Sequence, residues 1–252
     1  MSEAISDGIG NAIVTLSKKL DIDEKQMREG VEKIMKEKNL PDATALAQWK
    51  RNNRGLFTSK NYEFIVFGKT AIKEVNILNK KTEEKEPRRV SNVDIIAKTE
   101  TGLKVYVISL WDDASEAVDT IEIGTKYQGR LNLGSKGFAS LVSPKGKLQL
   151  KKLKESQVPD LKDIIPKLKS EDISVAYDKI GTYGFFKGVV TRVGEKLLEV
   201  DSPTSLPVQC WISDILGDVP EIEEGKNAIV FGRPYQNAKG EVHMSAHVVY
   251  TA

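Results

Sequence analysis

Residues 107–115 read VISLWDDAS, and residues 208–216 read VQCWISDIL. Each is an apolar stretch that ends in tryptophan and runs into acidic sequence, and Trp111 and Trp211 stand 100 positions apart. Side chains alternate across a strand, so in the second stretch Val208, Cys210 and Ile212 share one face while Gln209 and Trp211 share the other. In the first, Ile108 and Leu110 face one way, Ser109 and Trp111 the other. The apolar set is expected to fill a core, which leaves each tryptophan on the outer face. A large exposed indole is a liability unless something covers it.

Working outward, the two strand-rich regions repeat one another. Gly68 of FIVFGKTAIKEV answers Gly188 of FFKGVVTRV, and Ile121-Glu122-Ile123-Gly124 answers Ile222-Glu223-Glu224-Gly225. Gly129-Arg130 answers Gly232-Arg233, and Gly137 answers Gly240. Before the tryptophan the first copy is longer by a polar stretch, NILNKKTEEKEPRRVSN, expected to be a loop that extends a strand pair. Each copy then offers a long first strand, two further strands in a hairpin, a connection and a closing hairpin. That is the layout of the OB-fold, a small Greek-key barrel of five strands.

The remaining sequence divides around these copies. Residues 1–57 carry apolar residues at helical spacing: Ile5, Ile9, Ala12, Leu16 and Leu20, then Met27, Val31, Ile34 and Met35 behind a capping Asp23. A third helix after Pro41 carries Leu46 and Trp49, which is expected to anchor a small bundle. This module reads as a surface for protein contacts. A helix-turn-helix inserting Lys50, Arg51 and Arg54 into DNA is the weaker reading, because acidic residues offset its charge. The fold class is therefore mainly β with an α-helical N-terminal module and two five-stranded OB-fold barrels in tandem. The first barrel spans 60–150 and the second 179–252, with a lysine-rich linker or short helix over 151–178.

Composition narrows the chemistry. Net charge is +2 over 252 residues, so a nucleic-acid surface must come from local clustering. One cysteine and two histidines argue against a four-ligand zinc site, and Cys210 reads as a core residue. His243 and His247 lie on an alternating strand, about 13 Å apart along it, too far to share an ion, and read as surface residues. No Ser/His/Asp or Cys/His constellation and no phosphate loop is readable, so neither catalysis nor a cofactor is expected. The acids after Trp111 read as caps for the following turn. Apolar runs such as FIVFG fall far short of the roughly 20 residues that span a bilayer, and MSEAISDGIG lacks a secretory layout.

An unpaired base is one natural cover for each indole, since stacking is worth about 1–3 kcal/mol and tolerates any sequence. Packing beneath a loop or helix is the alternative. The closing hairpins add Arg130, Lys136 and Phe138 in copy one, and Arg233, Tyr235 and Lys239 in copy two. Tyr235 is the better second platform, whereas Phe138 could point into its barrel. Lys69, Lys73, Arg88 and Arg89 are further candidates for phosphate contacts, with Lys80 and Lys81 in the charged loop beside glutamates.

VISLWDDASE followed by IGTKYQGRLNL resembles the DNA-binding OB domains of the replication protein A family, the single-stranded DNA-binding proteins of archaea and eukaryotes. The start DIDEKQMREGVEKIMKE is similar to the helical start of some archaeal members. The resemblance implies that Trp111 and Phe138, then Trp211 and Tyr235, stack on bases. Copy two departs from the motif, with CWISD in place of LWDD. Cysteine-ligated zinc elements of large members have no counterpart here, so the chain would be a short, zinc-free form. Single-stranded DNA, and replication or repair proteins held through 1–57, are the implied partners; beside that reading stand an OB-fold factor that binds RNA and an adaptor whose outer aromatics bind another protein. The implied setting is replication, repair and recombination, in the cytoplasm of an archaeon or the nucleus of a eukaryote.

Overall fold

A computed structural model describes residues 5–20, 22–79, 83–134, 137–142, 150–217 and 219–251. The candidate Lys136, with Lys80 and Lys81, lies outside them. The chain divides into two compact units, a helical one through Lys60 that also takes in Val142, and a second that holds the other described residues from Asn61 onward.

The helical unit holds α1 (Asp7–Leu20), α2 (Glu24–Lys38) and α3 (Asp42–Asn52). Asp23 caps α2 by accepting from the Gln26 amide, and Asn39 ends it in the left-handed region at φ 49°. Trp49 is buried against Met27, Val31 and Leu46. A fourth short helix, α4 (Arg54–Thr58), follows and buries Leu56. On α1 the fully covered positions are Ile13, Ser17 and Leu20; Ile5, Ile9, Ala12 and Leu16 flank them.

The second unit contains both barrels. The first is built from β1 (Lys60–Lys69), β3 (Lys85–Thr99), β4 (Gly102–Trp111), β5 (Lys126–Leu133) and β6 (Phe138–Leu141), with β2 (Lys73–Leu78) and β7 (Leu150–Lys152) added outside. Neighbours run β1-β3-β4-β6-β5 and close through a β1–β5 pairing. The second uses β9 (Gly184–Val193), β10 (Leu197–Asp201), β11 (Val208–Trp211), β12 (Asn227–Gln236) and β13 (Val242–Thr251), in the order β9-β10-β11-β13-β12 and closing β12 onto β9, with the two-residue β8 (Glu171–Asp172) added alongside β9. In both, the third strand runs parallel to the fifth. This shared order makes each barrel an OB-fold.

Backbone hydrogen bonds fix how the copies superpose. Gly124 N–H donates to Val66 O and Gly225 N–H to Val190 O, both at 2.8 Å. Both glycines turn at positive φ, 80° and 84°. Val66 and Val190 are therefore equivalent, and each precedes a bulge that skips one residue of its strand. The proposed match of Gly68 with Gly188 is thus corrected: Gly68 answers Arg192. Each of the two glycines has its own reason. A side chain at Gly68 would strike Val248 and Asp94, and one at Gly188 the Asp201 carbonyl and Val200. The charged stretch after residue 75 forms a hairpin, with β2 pairing along β3 from Val90 to Lys85.

Phe64, Val66, Val93, Ile95, Ile108 and Leu110 fill the first barrel, and Phe186, Val190, Val208, Cys210, Val230 and Met244 the second. A separate apolar cluster joins them: Ile65, Phe67 and Ile96 of the first barrel meet Phe185 and Phe231 of the second. The segment read as a linker or short helix contributes Val158 and Ile164 to this seam, and it includes one helical turn, Leu161–Ile164. Ile173 and Ala176, on a 3-10 helix, enter the second core. His247 is corrected from surface to interior: it is 1% exposed, with Nδ1 at 2.8 Å from Asp94 Oδ1 across the seam. A bulge opposite Phe231-Gly232 breaks the alternation of β13. It keeps Ala246 in the barrel and turns His247 and Val248 toward the seam.

Candidate nucleic-acid interface

Both tryptophans end the third strand of their barrel on its outer face, and they remain partly open, Trp111 at 37% and Trp211 at 36%. The core beneath them explains why. Ile108 and Leu110 point inward at one barrel, Val208 and Cys210 at the other, so the odd positions between must point out. Burial pushes the Cys210 thiol up to about 12.

The two indoles are held differently. The Arg88 guanidinium, from β3, lies over the Trp111 ring, 5.2 Å from its centroid. Asp112, which follows the tryptophan with φ 51°, grips Arg88 through both Nε, at 2.9 Å, and the terminal nitrogen. Hydrogen bonding from Arg88 holds the Asp112 carboxyl below the usual carboxylate range, and the carboxylate raises the guanidinium in return. Arg89 pairs with Glu116 at 2.9 Å and with Asp113 at 3.6 Å. One face of Trp111 is thereby occupied, and three carboxylates stand beside it.

Trp211 keeps its faces clear of cations among the described residues. Its indole Nε1–H donates to His243 Nδ1 at 3.0 Å. The ring planes lie 13° apart with centroids 6.3 Å distant. That separation is what an in-plane, edge-to-edge hydrogen bond requires, so the rings lie side by side rather than face to face. Tyr235 is 39% exposed and leans on His243, 5.7 Å between centroids at 42°. The register explains the cluster: Tyr235 and Gln209 both stand opposite His243, and Trp211 is two residues along β11.

The other candidates divide by what already occupies them. Lys69 Nζ donates to the carbonyls of Val118, at 3.2 Å, and Ile121, at 2.8 Å, closing the end of the 3-10 helix Asp112–Thr120. Lys73 pairs with Asp214 at 3.1 Å, in the turn that follows Trp211. Ala71 N–H also donates to the Asp214 carbonyl and Leu216 N–H to that of Lys69, so this turn is seated on the first barrel. Lys69 and Lys73, like Arg88 and Arg89, therefore brace the fold. Phe138 points neither into its barrel nor onto a free face. It meets Tyr183 edge-on at 5.2 Å, with Arg233 over its ring at 5.6 Å. Arg130 lies on β5, half-buried, and makes an interaction of its own. Lys239 is exposed at the tip of the β12–β13 hairpin.

Two contributors escaped the sequence reading. His243, read from the sequence as a surface residue, is instead largely enclosed in the aromatic cluster, and its placement follows from the parallel pairing of β11 with β13. Lys196 is exposed in the β9–β10 turn, where its carbonyl accepts from Ile212 N–H next to Trp211. A basic residue in the loop after the first strand was the signal for it. Among the described residues no group of three metal-ligating side chains gathers.

No protein-family model and no curated protein matches the chain. Solved structures do. The telomere capping protein Ten1 from Saccharomyces pombe is 26% identical, with a TM-score of 0.28, over 34% of this chain and 81% of its own. A murine DNA-binding protein bound with double-stranded DNA is 13% identical, with a TM-score of 0.40, over 77% of this chain and 97% of its own. A replication protein A heterotrimer bound to single-stranded DNA is 11% identical, with a TM-score of 0.41, over 77% of this chain and 48% of the other. The fold assignment rests on the strand order and register of the chain itself.

Proposed function

We propose that the chain binds single-stranded nucleic acid, DNA in the first reading, without catalysing a reaction on it. The observation that carries this reading is the outer face of the second barrel. There a partly open indole, held edge-on by a histidine, stands beside an exposed tyrosine, with Lys196 and Lys239 in the turns on either side. Bases stack on such platforms whatever their sequence, and the lysines meet phosphates. The first barrel is the weaker half, because Arg88 covers Trp111 and the carboxylates of Asp112, Asp113 and Glu116 repel phosphate. Replication, repair or recombination is the setting this activity would serve, with the helical unit docking partner proteins.

Tryptophan fluorescence titration with oligo-dT, duplex DNA and oligo-U tests the reading. Quenching by oligo-dT well beyond that by duplex is expected. Trp211→Ala should weaken binding by about 1–3 kcal/mol, and Trp111→Ala by less. Stronger binding to oligo-U would redirect the reading to RNA. Absence of any response, or equal losses in both variants, would overturn it.

A further inference from the structure

The β12–β13 hairpin is tied together around one side chain. Asn237 Oδ1 accepts from the amides of Lys239, at 2.9 Å, and Glu241, at 3.0 Å. The Asn237 amide nitrogen donates to Glu241 Oε2 at 2.7 Å, and the same carboxylate oxygen stands 3.6 Å from His243 Nε2, the nitrogen that carries the ring proton when Nδ1 accepts. On the opposite edge of the same imidazole, Nδ1 accepts the Trp211 indole N–H. A chain of contacts therefore runs from the hairpin tip, through His243, to the indole edge. Gln236 reinforces the tip by donating to the Gly240 carbonyl at 2.9 Å.

The His243 side chain is only 12% exposed, too enclosed to serve as a stacking platform. An indole at a strand end is otherwise free to choose among staggered rotamers, and each would present a different face. An N–H acceptor at one edge selects among them at little cost, since a neutral hydrogen bond of this kind shifts an equilibrium by about fivefold. Resting on the proposed function above, we infer that His243 is the positioning residue of this interface. It holds Trp211 in the orientation that meets a base, and Glu241, itself held by Asn237, ties the other edge of the ring to the phosphate-facing hairpin. The first barrel has no equivalent: Ser140 occupies the corresponding place, opposite Asn132. There the indole is set instead by Arg88 from the opposite side.

The test uses the full chain. The Trp211 indole N–H signal, identified by its disappearance in Trp211→Phe, is followed in a proton–nitrogen spectrum. In His243→Leu it should move upfield. In His243→Asn, whose Oδ1 falls near the place of Nδ1, it should stay close to its original position. Affinity for a dT 20-mer should fall about fivefold in His243→Leu and stay within about twofold in His243→Asn. Asn237→Ala, which leaves strand packing alone, should give an intermediate loss and keeps the test usable if His243→Leu does not fold. An unmoved indole signal, or equal losses in His243→Leu and His243→Asn, would overturn the assignment. Binding that needs Trp211 but ignores His243 and Asn237 would sink this inference alone. A parent chain that binds no single strand would sink the proposed function with it.

Discussion

At the scale of single residues, the cations of this chain separate by what they already hold. Lys239 reaches solvent at a hairpin tip, whereas Arg89 is committed to Glu116 and Asp113. Lys239→Ala should therefore reduce the slope of log affinity against log salt by about 1, and Arg89→Ala should leave it nearly unchanged. Oligo-dT titrations at several salt concentrations measure both. Cys210 gives a second residue-scale expectation. Reaction needs the thiolate, and burial pushes this thiol up to about 12, so at neutral pH almost none is available. An aromatic disulfide reagent should leave the native chain unlabelled and modify it rapidly in denaturant. Strand alternation alone makes both outward tryptophans and the inward cysteine legible in the sequence. His243 is not legible in the same way. Its neighbour Trp211 lies 32 residues earlier and meets it through a parallel pairing that local periodicity does not contain.

At the scale of elements, caps and close approaches set stability. Asp23→Ala removes the acceptor for the Gln26 amide and should lower helical-unit stability by about 1 kcal/mol, seen as an earlier thermal transition by circular dichroism. Asp172 caps the 3-10 helix that plugs the second barrel. The Ser174 hydroxyl, then that of Ser202, hold its carboxyl below the ordinary value. The folded state thus binds this proton less readily than the unfolded state does. Its stabilisation is complete above the unfolded carboxylate range and fades as pH falls through the lower folded value. Asp172→Asn should accordingly flatten the acid limb of a stability-against-pH curve. The caps, the hairpins and the turn glycines are legible because each carries a local residue signature. The bulges are not. Gly68 and Gly188 look like partners because both are glycines near the middle of a first strand. One is demanded by Val248 and Asp94, the other by the Asp201 carbonyl.

For the whole β unit, the seam decides behaviour. The runs FIVF and IVFG lack polar alternation because their strands are covered on both sides, Val66 and Val230 inside a barrel, Phe67 and Phe231 between barrels. That uninterrupted apolarity is the sequence trace of the seam. Reading 151–178 only as a connector passes over Val158 and Ile164 within it. Asp94 and His247 form a buried pair in the same seam, ringed by Tyr183 and Phe231. Removing one partner strands the other away from water, so His247→Leu should cost about 1–3 kcal/mol in urea unfolding. Because both barrels share this layer, they should unfold in one transition that fluorescence and circular dichroism report at the same midpoint.

The shared layer also governs what happens when the backbone is cut. Ile180, 43% exposed, sits just before the second barrel's first strand, where a protease could reach the chain. A nick there would leave two pieces still clasped by Phe67, Phe185 and Phe231. They should travel together through gel filtration, and pieces produced separately should find one another on mixing.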